Sequence, residues 1–210
     1  MASRGLRRKK SSLQEVKLAV VGAPSVGKSA LTVRFLTKRY IGEYDHQQDC
    51  KYKHEVLLDG EPILFEILDT CPKSLEELPG SEVAAWADAL FLVYSITDRA
   101  SFTYVRRARQ SLQLPPDVPL ALVGNKADMV HLRQVSGEEG EILAKDFECT
   151  FKEVAAAEQV SQVGEVFLEV SREVLALRRR CKHSLLDRML GNKTARAYAR
   201  GKSDSALPKE

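Results

Sequence analysis

The sequence predicts an α/β fold with a mostly parallel sheet, on three observations. Ala89-Leu90-Phe91-Leu92-Val93-Tyr94-Ser95-Ile96 and Leu120-Ala121-Leu122-Val123 are nearly continuous apolar runs, the pattern of inner parallel strands covered on both faces. Segments with helical spacing alternate with these runs. The 210 residues are 44% hydrophobic, enough for one domain of about 160 to 180 residues with modest tails.

The elements follow in order. Val16-Lys17-Leu18-Ala19-Val20-Val21 reads as a buried strand closed by Gly22, and Leu31, Phe35 and Leu36 mark one face of a helix from about Lys28 to Arg39. His54 to Leu58 and Ile63 to Leu68 are strand candidates separated by Asp59-Gly60-Glu61-Pro62, whose Asp-Gly pair signals a hairpin and so antiparallel neighbours. Residues 71–88, with Pro72, Pro79 and Gly80, read as an irregular segment leading into a helix at Ser81 to Ala87. Phe102, Val105 and Leu112 predict a helix between the two long apolar runs, stopped by Pro115-Pro116. Ser136-Gly137-Glu138-Glu139 has capping-box form ahead of an apolar face of Ile142, Leu143 and Phe147. Val166, Phe167, Val170, Val174 and Leu177 form the face of the last helix of the domain.

Charge is distributed unevenly. Residues 1–17 carry six Lys or Arg against Glu15 alone, and residues 178–210 carry ten against Asp187, Asp204 and Glu210. With a total of +3, the body between these ends is acidic. Such a body argues against a nucleic-acid domain, while the basic ends suit reversible contact with an anionic membrane. Cys50, Cys71, Cys149 and Cys181 lack paired spacing, so reduced thiols are expected, and His46, His54, His131 and His183 show no ligand spacing. Around Arg178 to Leu190, Leu185 with Met189 and Leu186 with Leu190 sit four apart among basic residues, a pattern shared by an interfacial helix and a solvated extension of the preceding one. Trp86 is expected to serve packing. No apolar run is long enough to span a membrane, and the chain ends Ala206-Leu207-Pro208-Lys209-Glu210 without a C-a-a-X box. A cytoplasmic, unprenylated monomer is expected.

Gly22-Ala23-Pro24-Ser25-Val26-Gly27-Lys28-Ser29 fits the phosphate-loop pattern G-x-x-x-x-G-K-[ST], placed between a strand and a helix as its mechanism requires. The glycines permit a tight loop, amides from Ser25 to Ala30 make an anion nest, Lys28 neutralises β and γ oxygens, and Ser29 offers a hydroxyl to Mg²⁺. Asn125-Lys126-Ala127-Asp128 directly follows an inner strand. The Asp128 carboxylate suits the two N–H donors of guanine, which adenine does not offer. Asn125 ties the base loop to the phosphate loop, and the Lys126 stem packs along the base plane.

On these residues the chain resembles the Ras-like small GTP-binding proteins over about Glu15 to Leu177. The resemblance implies a six-stranded Ras-like sheet, GTP and GDP as ligands with Mg²⁺, and unidentified effector or regulatory proteins as partners. Residues 1–14 would then form a basic arm, 15–177 the GTP-binding domain and 178–210 a basic tail. Ile67-Leu68-Asp69-Thr70 looks like the family's third motif, with Asp69 holding Mg²⁺ through water. By matching position Tyr40 would edge the guanine ring, and Ala155 and Ala156 would form the last base-contacting segment, the Ala156 amide meeting the guanine oxygen. Ser29 to Arg39, Ser95 to Arg99 and Val123 to Asp128 look most like the subfamily of the Ras-related and estrogen-regulated growth inhibitor and its "-like" paralogue, with Ala155-Ala156-Ala157-Glu158-Gln159 leaning toward the latter.

Three departures from the family bear on activity. Where members carry D-x-x-G-Q, this chain reads Asp69-Thr70-Cys71-Pro72-Lys73. Proline has no N–H to offer the γ-phosphate, and Lys73, having only donors, cannot orient water as glutamine does. The Mg²⁺-binding threonine of the first switch falls on Gln47, a candidate metal ligand through its amide oxygen. The family's lysine in the last motif is Ala157, which removes one wall of the base pocket and predicts weaker guanine affinity. No catalytic residue is assigned, and very slow intrinsic hydrolysis with a muted switch is expected; a pseudo-GTPase binding module is the alternative.

Overall fold

The computed structural model describes residues 13–41 and 48–199, with side chains through Lys182. Six strands form one sheet in the order β2-β3-β1-β4-β5-β6, with β1 Gln14–Gly22, β2 Cys50–Leu58, β3 Glu61–Asp69, β4 Ala89–Ser95, β5 Leu120–Asn125 and β6 Thr150–Val154. The helices are α1 Lys28–Thr37, α2 Ser81–Trp86, α3 Arg99–Leu112, α4 Gly137–Asp146 and α5 Val160–Ala199, with a 3₁₀ turn at Val130–Leu132. Only the β2–β3 pair is antiparallel among the sheet's pairings.

The hairpin forms where Asp-Gly predicts it. Leu58 pairs with Glu61 across a two-residue turn, and Asp59 and Gly60 both have positive φ (52° and 86°), as the type I′ turn matched to strand twist requires. Gly60 supplies the second of these angles without the clash that a Cβ brings. β1 lies between β3 and β4, with Leu18 in register with both Ile67 and Ala89. Its residues Val16 and Leu18 to Gly22 are buried, and every residue of β4 and β5 is buried, as strands covered on both faces must be.

Contacts divide the chain into two units, one reaching Val174 and the other starting at Leu175. In the first, the α1–α5 side of the core centres on aromatic rings. Phe35 stacks on Phe167 with centroids 4.2 Å apart, and Phe65 and Phe91 meet this pair edge-on at 5.2 and 4.7 Å. Val163, Val166, Val170 and Val174 of α5 are buried with them, at the spacing expected of a core-facing stripe. The second unit contains the helix from Leu175 to Ala199, so backbone helix continues through the basic stretch at 178–190. No described helix is long and apolar enough to cross a membrane.

The structure departs from the sequence reading in several places, the first being β2, which begins at Cys50 and not at His54. β6 forms at Thr150–Val154, where no apolar run or alternation predicts a strand. Its Thr150-Phe151-Lys152-Glu153-Val154 is a half-exposed edge strand paired with β5 alone, so it has no apolar run. The α4 capping box is present, with Ser136 Oγ accepting from the Glu139 amide, but the apolar face differs. Ile142 is 50% exposed, and Gly140, Leu143 and Ala144 are the buried positions. α3 ends before the prolines, at Gln113 in left-handed conformation (φ 46°). Trp86 is half-buried between two cations, with the Lys17 and Lys51 ammonium nitrogens 5.8 and 5.0 Å from its ring.

Candidate functional site

Sheet order alone locates the candidate site. Connections run to opposite sides of β1 toward β3 and β4, making the carboxyl end of β1 a switch point of the kind where open α/β sheets take ligands. Gly22 ends β1, Asp69 ends β3, Asn125 ends β5 and Val154 ends β6. All four residues that introduce the predicted motifs therefore lie at one end of the sheet.

The phosphate loop leaves β1 and turns into α1 through Gly27. Gly27 has φ 94°, and a Cβ there would stand 2.3 Å from Asn125 Nδ2. Only a glycine fits that combination of angle and clearance. Lys28 starts α1 with its side chain folded back over the loop, Nζ donating to the carbonyls of Gly22 at 2.9 Å and Ala23 at 2.7 Å. Burial lowers the Lys28 pKa to about 8, against the opposing pull of Asp69. A desolvated ammonium hydrogen-bonded to two neutral carbonyls is well matched to an incoming anion.

A cavity of about 520 Å³ lies over this loop, lined by Pro24, Ser25, Gly27, Lys28, Ser29, Ala30, Tyr40, Thr70, Cys71, Pro72, Lys73 and Lys126. It joins the phosphate loop to Tyr40 and Lys126 on the base side and to the altered switch sequence on the other. Gly22, Ala23, Val26 and Asn125 lie behind the walls as buried support. Asp69 is 4% exposed at the end of β3. Ser29 lines the cavity and Asp69 stands outside its lining; both carry hard oxygen donors of the type Mg²⁺ takes. Gln47 lies outside the described residues.

Asn125 is the hub of the base side. It is 2% exposed, donates from Nδ2 to the Val26 carbonyl at 2.8 Å, and accepts at Oδ1 from the Ala156 amide at 3.2 Å. The predicted tie between base loop and phosphate loop is thus a direct hydrogen bond. The Ala156 amide is engaged by Asn125, so a guanine oxygen would share or replace that acceptor. Ala155 is held similarly, its amide donating to Gln159 Oε1 at 3.0 Å. Asp128 is exposed and stands outside the cavity lining, while the Ala127 amide is bonded to the Val154 carbonyl at 3.1 Å.

The switch segment is also tied. Thr70 Oγ1 donates to Val20 O at 2.8 Å, and the Cys71 amide donates to Asp49 Oδ1 at 2.7 Å. Burial pushes the Cys71 thiol pKa up, with Lys28 pulling partly the other way. Arg34 is the functional candidate that sequence reasoning missed: it is 7% exposed on α1 and bonded to the loop carrying Ala156. A charged residue within a helix ordinarily reads as solvent-facing, so no sequence signal marked it.

Comparison with known proteins agrees with this geometry. The family model described as "Ras family" matches residues 17–176. The chain is 45% identical over 163 residues to the Ras-related and estrogen-regulated growth inhibitor of Homo sapiens, covering 76% of this chain and 81% of that protein. It is 40% identical over 173 residues to the Ras-related and estrogen-regulated growth inhibitor-like protein of Bos taurus (78% and 84% covered), and 39% identical over 173 residues to Ras-like protein family member 11B of Danio rerio (74% and 68% covered). These identities do not favour the "-like" member toward which residues 155–159 lean. A family match over three quarters of the chain, on a 2-3-1-4-5-6 sheet with a phosphate loop at its switch point, makes this chain a Ras-family small GTP-binding protein.

Proposed function

We propose that residues 15–177 bind GTP and GDP with Mg²⁺ through the residues assembled above, hydrolyse GTP very slowly, and respond weakly to the γ-phosphate. Lys28 and the amides of Ser25 to Ala30 hold the phosphates, Ser29 and Asp69 hold the metal, with Gln47 a further ligand candidate, and Tyr40, Asn125, Lys126, Asp128, Ala155 and Ala156 form the base side. Bound Mg²⁺ would neutralise charge on the phosphate oxygens.

The observation that carries the reading is Pro72 in the wall of the cavity beside Lys28. A residue without an N–H cannot report an added phosphate by hydrogen bonding to it, and the neighbouring Lys73 brings charge but no acceptor to position water. Single-turnover hydrolysis of GTP is expected to be far slower than in ordinary Ras-like proteins. Calorimetric titration with GDP and with a non-hydrolysable GTP analogue, both with Mg²⁺, is expected to give comparable affinities. Ordinary Ras-like hydrolysis, or a several-fold preference between the two nucleotides, would overturn the respective half of the reading.

A second reading, a partner-binding module with little nucleotide dependence, is favoured by the bond from the Cys71 amide to Asp49. That bond anchors the second switch to Asp49, the residue before β2, through groups of the protein itself. Partner capture unchanged by loading GDP or the analogue would support it. The basic ends are proposed to give reversible contact with anionic membrane, tested by salt-sensitive sedimentation with phosphatidylserine vesicles.

A further inference from the structure

Arg34 sits in α1 with 7% of its surface exposed. A buried guanidinium is stable only when its donors are answered. Here Nε donates to the Ala156 carbonyl at 2.7 Å, Nη2 donates to the Ala157 carbonyl, and Nη1 reaches the Lys38 carbonyl at 3.4 Å. The guanidinium carbon lies 5.6 Å from the centre of the Tyr40 ring. One planar fork thus touches the 155–157 segment, the end of α1 and Tyr40.

We propose that Arg34 is a positioning residue for the guanine end of the site, an inference that rests on the nucleotide reading above. The rigid fork sets the height of the Ala156–Ala157 backbone, and so the position from which the Ala156 amide meets the base oxygen, while its face supports Tyr40 from behind. Lys28 and Arg34 lie six residues apart on one helix, about 9 Å along its axis. α1 therefore carries the phosphate contact on its first turn and the support of the base loop nearly two turns later, which fixes the separation of the two subsites. The support reaches the loop through backbone carbonyls, so it operates although residue 157 is alanine and offers the base no long side chain.

The test compares binding of GDP and 6-thioguanosine diphosphate, each with Mg²⁺, to the full chain and to Arg34→Met and Arg34→Lys variants. The sulfur analogue keeps the donors that face Asp128 but puts a larger, weaker acceptor where guanine has its oxygen. The full chain is expected to prefer GDP, and Arg34→Met to lose about tenfold in GDP affinity while losing less than about threefold for the analogue, so that the preference collapses. Arg34→Lys, which keeps charge without the fork, is expected to recover only part of it. Equal loss for both nucleotides together with a lowered melting temperature would mean that Arg34 is merely structural and would overturn the proposal, as would unchanged GDP binding. If Arg34→Met fails to fold, the same ratio measured in Arg34→Lys decides. Failure of the unaltered chain to bind either nucleotide would instead overturn the nucleotide reading itself.

Discussion

The side-chain nitrogen of Asn125 lies 2.8 Å from the carbonyl oxygen of Val26, across 99 residues of sequence. Its other side-chain atom, Oδ1, accepts from Ala156, so one amide group joins the phosphate loop to the loop after β6. Substituting Asn125 with Ala leaves a buried carbonyl and a buried amide without these partners. Asn125→Ala is expected to cost about 2 to 3 kcal/mol of stability and to weaken GDP binding. Chemical denaturation and GDP titration check it; a variant of unchanged stability would show that the two loops are held by other contacts.

Lys28 makes nucleotide affinity dependent on pH. Its pKa is lowered to about 8, chiefly by burial. Below that value the free protein already carries the ammonium, and a phosphate group binds a charged partner. Above it the free side chain is neutral, and binding must take up a proton, so affinity falls as pH rises. The expected loss of GDP affinity appears above about pH 8, and a flat profile between about pH 7 and 8.7 would contradict it. The stability effect has the opposite sign. The unfolded chain binds the proton more tightly, so the cost of burying charged Lys28 is present below about 8 and is relieved as pH rises toward the unfolded value.

In the function proposed above, Pro72 and Lys73 are what slows hydrolysis. The double substitution Pro72→Gly with Lys73→Gln restores a backbone donor and an amide that can both donate to and accept from water. At least a tenfold rise in the single-turnover rate is expected, the order of effect of one positioned group. No change would place the defect elsewhere, with Gln47 the next residue to vary.

Tyr94 offers a test of packing away from the site. It is fully buried in β4 with its ring edge-on to Phe102 at 4.9 Å, yet its hydroxyl has no hydrogen-bond partner among the described residues. Burial pushes its pKa upward. The hydroxyl sits beside Gly124 and Gly140, where an added Cβ would come within 2.9 and 2.7 Å of it. Tyr94→Phe removes the unanswered polar group and keeps the ring. It is expected to raise stability by about 1 kcal/mol, or about 2 to 4 °C in melting temperature. A loss of similar size would point to a buried water bound to the hydroxyl.

The legible parts of the fold are those whose signals are local. The Asp59-Gly60 turn, the Ser136 capping box and the apolar runs of β4 and β5 depend on neighbours in sequence, and each stands where its residues predict. The Asn125 tie was legible because its motif has a mechanism that demands a partner in the phosphate loop. β6 was not, because in a strand paired on one side only the adjacent charges Lys152 and Glu153 separate Phe151 from Val154, which leaves neither an apolar run nor a clean alternation. The outward turn of Ile142 depends on what packs against α4, and the burial of Arg34 depends on carbonyls more than 120 residues away. Neither relationship leaves a mark in the local pattern.

The central place of β1 also orders events during synthesis of the chain. β1 emerges first of the strands, but both its neighbours come later: β3 ends at Asp69 and β4 at Ser95, and the Asn125 tie closes only when Ala156 is in place. Parallel partners cannot be recruited through a short turn, and loop closure precedes any gain from pairing. The loop from Gly22 to Ser29 therefore stays without the Asn125 tie and its Ala156 partner until β6 has been made. A product truncated before β6 is expected to expose β5 as an unpaired edge.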